Sequence, residues 1–279
     1  MYRHLYSLII TIILVNLAYA SPIPPAPNLN AKAYVLMDFD SGMILASSNE
    51  DLALPPASIT KMMTAYIAFT ELKEKNVSLN EDVLVSKKAW KTGGSKMFIE
   101  VGKQIKFKDI LQGVITVSGN DASVALAEHI SGDENTFAIY MNQVAKNIGL
   151  TNTNYTNATG LPNDSLYTTA EDIALLSRSL ISNFPDLYKL YSTKSFKFND
   201  IKQYSRNKLL FIDDNVDGIK TGFTNAAGYC LASSAKRGDR RLIAIVMGAP
   251  TPDVRIQSSR TLLEYGFRFF ETHKLFKKD

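Results

Sequence analysis

The feature that most restricts the fold is strand-like sequence at both ends of the chain. Residues 33–39 and 43–47 are apolar runs on either side of Asp40-Ser41-Gly42, the pattern of a β-hairpin. Far along the chain, residues 217–221, 228–236 and 241–248 again read as strands, the last two joined by a turn at Arg237-Gly238-Asp239-Arg240. The sequence between reads chiefly as helix. One helix is predicted from Ser58 to about residue 75, behind the stop Pro55-Pro56-Ala57. Others are predicted over 107–117 and 122–130, separated by Ser118-Gly119-Asn120, and over 136–149, which Gly149 ends. A further helix over 169–181 opens on Thr169 and Asp172, spaced as in a capping box, and a last one covers 253–270. Residues 83–86 and 106–107 read as short β pieces and 151–165 as a loop. Isolated hairpins leave unpaired edges, so the two ends must pair with each other. The expectation is an α+β fold: an antiparallel β-sheet formed from both chain ends, flanked by helices, with an inserted helical region. A chain of 279 residues, 46% apolar, can bury the core this needs.

Composition excludes several functions. The single Cys230 rules out an intrachain disulfide framework and a cysteine-rich zinc or iron–sulfur site. His4, His129 and His273 are too few for a His-built centre, so neither a metal nor a cofactor is expected. A net charge of +4 without an Arg-rich run gives no nucleic-acid partner. His129 is read as a packed histidine and Cys230 as a core strand residue. At the start, Arg3 and His4 precede an apolar run over 5–15 and the small-x-small triplet Ala18-Tyr19-Ala20, which reads as a secretory signal peptide over 1–20. The apolar run is shorter than the roughly 20 residues of a spanning helix. An exported protein of the periplasm or cell-wall space is expected, soluble after cleavage. Phe267, Phe269, Phe270 and Phe276, with Arg268, Lys274, Lys277 and Lys278, read as helix packing followed by a solvated basic tail, with at most weak contact with a membrane surface.

The chemistry lies in three separated motifs. Ser58-Ile59-Thr60-Lys61 sets a hydroxyl and an amine about one helical turn apart. A serine hydroxyl is a weak nucleophile until a base takes its proton, and with no histidine available a lysine must serve. Lysine becomes a base when burial or a neighbouring cation lowers its pKa. Ser118-Gly119-Asn120 is a sharp loop between two helices, from which both side chains can reach a cleft. Lys220-Thr221-Gly222 lies on a predicted strand, Lys220 and Gly222 on one face and Thr221 on the other, and Gly222 admits the close approach of a ligand backbone. Each spacing recurs by chance, Ser-x-x-Lys at Ser205 and Ser233, Ser-x-Asn at Ser47 and Ser78, and Lys-Thr-Gly at Lys91. Context and order single out the three.

In that order the motifs resemble those of the serine penicillin-binding family of low-molecular-weight D-alanyl-D-alanine carboxypeptidases. Their flanks resemble it too: residues 31–38, Pro56-Ala57 before Ser58, Val216-Asp217-Gly218-Ile219 before Lys220, and Gly266-Phe267-Arg268-Phe269-Phe270. The resemblance runs over about residues 30–271. It implies the fold of serine β-lactamases and penicillin-binding transpeptidases and a catalytic D,D-peptidase domain over 31–272, between a leader at 21–30 and a tail at 273–279. It implies that Ser58 is the acylated nucleophile, Lys61 its base and Ser118 a proton relay. It further implies that Asn120 holds the substrate amide, that Lys220 keeps Lys61 partly neutral, and that Thr221 and Arg255 hold the terminal carboxylate. The backbone N–H groups of Ser58 and Phe223 would form the oxyanion hole. The implied partners are peptidoglycan stem peptides ending in D-Ala-D-Ala and β-lactam antibiotics.

The sequence departs from the family in places. Some relatives have a small polar residue in place of Phe223 and a histidine in place of Thr159. The loop over 92–97 is short, which is expected to open one cleft wall. Many relatives continue past the equivalent of Asp279 with a β-rich domain and an anchor helix, and neither is expected here. The alternative functions are a D,D-endopeptidase, a β-lactamase and a non-catalytic muropeptide binder. The chain has no Glu-x-x-Leu-Asn after the second motif, which a class A β-lactamase needs.

Overall fold

The computed structural model describes residues 23–273. The expected signal peptide over 1–20, and Lys274, Phe276, Lys277 and Lys278 of the tail, lie outside the described residues. In chain order, β1 (Ala33–Asp38) and β2 (Ile44–Ser48) form the first hairpin, and a 3-10 turn (Ala57–Thr60) leads into α1 (Lys61–Lys73). β3 (Asp82–Leu84) and β4 (Gln104–Lys106) pair on either side of α2 (Lys87–Lys91). The helical middle holds α3 (Phe107–Thr116), α4 (Asn120–Ser131), α5 (Glu134–Asn147) and α6 (Ala170–Asn183). Then come α7 (Pro185–Tyr188), a hairpin of β5 (Ser195–Phe198) and β6 (Ile201–Tyr204), and α8 (Leu209–Ile212). β7 (Val216–Thr224), β8 (Gly228–Arg237), β9 (Arg240–Ala249) and α9 (Pro252–Phe269) follow.

The two chain ends do pair. The main sheet has the order β2-β1-β9-β8-β7, antiparallel throughout, with Ala33 opposite Met247 and Asp38 opposite Leu242. Both faces of its centre are covered, which explains why β1 and β9 read as unbroken apolar runs. On β9, Ile243, Ile245 and Met247 face one core with α1, α3 and α6, while Leu242, Ala244 and Val246 face a second core under α9. The period of two along a strand sends alternate residues to opposite faces. Side-chain bonds tie the ends further: Tyr265 Oη donates to Pro24 O at 2.8 Å and Thr272 Oγ1 to Asp38 Oδ2 at 2.6 Å. Phe267, Phe269 and Phe270 pack on the second core, and Cys230 is buried in the first. His129 bonds Glu81 Oε1 at 2.6 Å.

Three helix starts differ from the reading of the sequence; α4, expected from residue 122, begins at Asn120. The helix expected from Ser58 begins at Lys61, because Ala57 takes a left-handed conformation (φ +48°) and the next turn winds as 3-10. Asp133 starts α5 two residues early by accepting from Asn135 N at 2.8 Å and Thr136 N at 3.1 Å. Thr169 caps α6 as expected, accepting from Asp172 N at 3.1 Å. The Asp172 carboxylate does not return the bond; it accepts from Asn152 N and Thr153 Oγ1 instead.

Candidate active site

The 3-10 turn places the first motif. In such a turn residues i and i+3 eclipse, so Lys61 stands directly over Ser58, and its Nζ lies 3.0 Å from Ser58 Oγ. Lys61 is only 1% exposed. Its two other polar contacts are Asn120 Oδ1 at 2.6 Å and the carbonyl of Thr159 at 2.5 Å. That carbonyl is held by Asn157, whose Oδ1 accepts from Thr159 N at 3.0 Å and Gly160 N at 2.7 Å. A backbone oxygen does the work at position 159, so a threonine in place of a histidine leaves this contact in place.

The second motif turns sharply into α4. Ser118 has φ +61°, a conformation that is costly for a non-glycine residue and persists where its surroundings enforce it. Its Oγ is buried without a hydrogen-bond partner among the described residues and lines the cleft. Such orphaned groups are rare in native proteins, and a ligand atom would satisfy this one. Asn120 is the first residue of α4, and its Nδ2 donates to Gly93 O at 2.7 Å. The stretch at 92–97 is thereby tied to Asn120 at its base.

The third motif lies on β7, the edge strand. Lys220 is buried, and its Nζ donates to Thr221 O at 3.0 Å. Gly222 serves the protein's own packing. A Cβ there would stand 3.0 Å from Pro56 O and 3.2 Å from the Ala57 Cβ, so the glycine lets β7 press against the turn that carries Ser58. Phe223 is half-exposed and stacks on Tyr229, with ring centroids 4.3 Å apart. Behind Tyr229, at 5.7 Å, stands the Arg255 guanidinium, buried on the first turn of α9 rather than on its solvent face. Its Nη1 donates to Cys230 O at 3.4 Å, while its Nε has no partner among the described residues.

Ser58, Ser118, Thr221, Gly222, Phe223 and Arg255 thus share one cleft of about 400 Å³. A larger groove of about 570 Å³, between Leu72 and Leu187, is mostly apolar and holds none of the motif residues. The cleft also contains Ser205, Arg206 and Lys208, from the chance Ser-x-x-Lys at 205–208, as a basic wall. Its charges act on the floor. Burial first, then Lys220 and Arg206, hold the pKa of Lys61 well below the ordinary lysine value, while Asp121 acts in the opposite sense. Burial, then Arg206 and Arg255, bring Lys220 down to about 7. Arg206 was not foreseen; its only signal in the sequence was charge, and its link to the site is tertiary. The arrangement offers an activated hydroxyl and a cationic surface for an anionic ligand. Among the described residues, no group of three or more His, Cys, Asp or Glu side chains gathers to hold a metal.

Comparison with known proteins agrees with this geometry. Residues 20–251 match the model of peptidase family S11, described as D-alanyl-D-alanine carboxypeptidase. D-alanyl-D-alanine carboxypeptidase DacC of Escherichia coli K12 is 45% identical over 261 residues, covering 91% of this chain and 65% of that protein. The chain therefore spans a little under two thirds of that relative's length. Penicillin binding protein 5 from Haemophilus influenzae superposes with a TM-score of 0.86 at 44% identity, over 88% of this chain and 72% of that one. Penicillin-Binding Protein D2 from Listeria monocytogenes, in an ampicillin-bound form, superposes with a TM-score of 0.80 at 31% identity, over 88% of this chain and 100% of that one. Fold, motif order and family match agree: the chain belongs to the D-alanyl-D-alanine carboxypeptidase family of peptidases, S11.

Proposed function

We propose that the chain is a serine-type D-alanyl-D-alanine carboxypeptidase, removing the terminal D-alanine from peptidoglycan stem peptides through an acyl-enzyme on Ser58. The observation that carries this reading is the buried amine of Lys61, 3.0 Å from Ser58 Oγ at the foot of a cationic cleft. A neutral lysine amine has two N–H bonds and one lone pair. With the N–H bonds given to Asn120 Oδ1 and Thr159 O, the lone pair is left for the Ser58 hydroxyl. Ser58 Oγ attacks the carbonyl carbon of the last peptide bond as its proton passes to Lys61 Nζ. The carbonyl oxygen becomes an oxyanion, received by the backbone N–H groups of Ser58 and Phe223. The C–N bond then breaks, and the leaving amine takes the proton, relayed from Lys61 through Ser118 Oγ. Water, deprotonated by Lys61, cleaves the ester and restores Ser58.

Lys220, Thr221 and Arg255 receive the terminal carboxylate, a group that guanidinium binds with two parallel bonds, and Arg206 adds a second guanidinium. β7 has a free edge, so an extended peptide can lie along it as an added strand, with Asn120 on its amide. Acylation of Ser58 by β-lactams follows from the same geometry, and the ampicillin-bound Listeria relative supports it. Export to the periplasm or wall space follows from the signal-peptide pattern over 1–20 and from the site of peptidoglycan. No helix among the described residues is long and apolar enough to cross a membrane. The test is incubation with a synthetic stem pentapeptide ending in D-Ala-D-Ala. Wild type should release free D-alanine and Ser58→Ala none; a wild type that releases none overturns the reading.

A further inference from the structure

Asp121, the second residue of α4, is 1% exposed and has no part in the steps above. Its Oδ1 accepts from Met97 N at 2.8 Å and from Ala122 N at 2.9 Å; its Oδ2 accepts from Phe98 N at 2.9 Å and Ile99 N at 3.3 Å. Three successive backbone N–H groups turned to one point form a nest, a concavity suited to an anion. Turning them inward puts Phe98 at φ +67°, a conformation L side chains rarely adopt, and leaves that residue half-exposed. Residues 97–99 lie in no helix or strand, so the carboxylate is what satisfies these donors.

The stretch just before the nest is the cleft wall. Ser95 O accepts from Asn120 N at 2.7 Å, and Gly93 O from Asn120 Nδ2 at 2.7 Å. Between them Gly94 has φ +84°, and a Cβ there would stand 2.5 Å from Asn120 Nδ2. The β5–β6 hairpin holds the other side: Gln203 Nε2 donates to Lys96 O at 3.1 Å and Asn199 Nδ2 to Phe98 O at 3.3 Å. We propose that Asp121 is a positioning residue of the cleft: its carboxylate fills the nest at 97–99, fixing the wall that holds Asn120 against Lys61. The proposal rests on the reading of Ser58 as the acylated nucleophile and Lys61 as its base. Lys61 also faces Lys220 of β7 and Arg206 of the loop before α8; Asp121 is the negative charge set against these two cations.

The test compares wild type with Asp121→Asn, whose amide keeps the shape but loses the charge and turns an N–H toward the nest. Amide hydrogen exchange is read at residues 97–99, and labelling by a fluorescent penicillin is followed against pH. Wild-type amides at 97–99 should exchange as slowly as those inside α4. In the variant they should exchange about tenfold faster or more, and labelling should slow by roughly tenfold, the effect of losing one charged hydrogen-bonding partner. The acid limb of its labelling profile should move to lower pH, because the charge that favours the Lys61 ammonium is gone. Fast exchange at 97–99 in wild type overturns the proposal, whether or not the variant folds. So does a variant labelled at the wild-type rate, or one slowed with its acid limb unmoved. A wild type that takes no label refutes the Ser58–Lys61 reading instead, and the exchange data still decide whether the nest is latched.

Discussion

An arginine in place of Lys61 keeps the charge and most of the reach but cannot lose its proton. Lys61→Arg should therefore fold and slow penicillin acylation by roughly 10²–10⁴-fold, the usual worth of a positioned base; stopped-flow labelling measures this, and a near-normal rate would remove lysine as the base. Lys220 gives a stability prediction. Its pKa falls from the ordinary lysine value of 10.5 to about 7 in the folded state, so between these values the unfolded chain holds a proton that the folded chain lacks. Stability from this group is complete above the upper value and is lost as pH falls toward about 7. Melting temperature should rise from pH 7 to 10, and less steeply in Lys220→Met; equal slopes in the two proteins would contradict the burial of that charge. Ser58, Lys61, Ser118 and Lys220 were legible because residue type, spacing and order coincide within short stretches. Arg206, Asp121 and the Thr159 carbonyl were not, because folding alone brings them in: Thr159 lies 98 residues from the lysine it contacts.

The elements that carry the site are the 3-10 turn before α1 and the edge strand β7, and Gly222 is where they touch. Gly222→Ala would place a methyl 3.0 Å from Pro56 O and force the two apart. Overpacking of this kind costs about 1–3 kcal/mol, so the melting temperature should fall. Labelling should slow as well, because Lys220 and Thr221 move away from Ser58. A variant with lower stability but unchanged labelling would show that the turn and strand are not coupled. The long elements were readable because their patterns are strong: unbroken apolar runs in β1 and β9, Pro before the first helix, Thr169 before α6. The short helices escaped. α2, α7 and α8 have five, four and four residues, too few to show a helical period. The start of the first helix was misplaced because the backbone angle of Ala57 is set by tertiary packing and leaves no mark on residue type.

Across the molecule, the sheet built from both ends holds three remote segments, at 58–61, 118–120 and 220–222, around one cleft. Two buried polar atoms there, Ser118 Oγ and Arg255 Nε, have no partner among the described residues. A covalently bound β-lactam carboxylate would give them one, so acylation should raise the melting temperature, because those contacts exist only in the folded state; an unchanged or lower value in scanning fluorimetry would count against a carboxylate seat at Arg255. The bracketing of helices by strands foretold the sheet, but not the basic wall at 205–208, which looked like a chance repeat of the first motif. In the proposed reaction Ser58, activated by Lys61, becomes acylated. The direct measurement is the mass of the whole protein after benzylpenicillin, with the labelled peptide mapped in wild type, Ser58→Ala and Lys61→Arg. Wild type should gain one penicilloyl group, on the peptide that holds Ser58, Ser58→Ala none, and Lys61→Arg almost none within the same time. A label on another serine, or full labelling of Ser58→Ala, would contradict this reading.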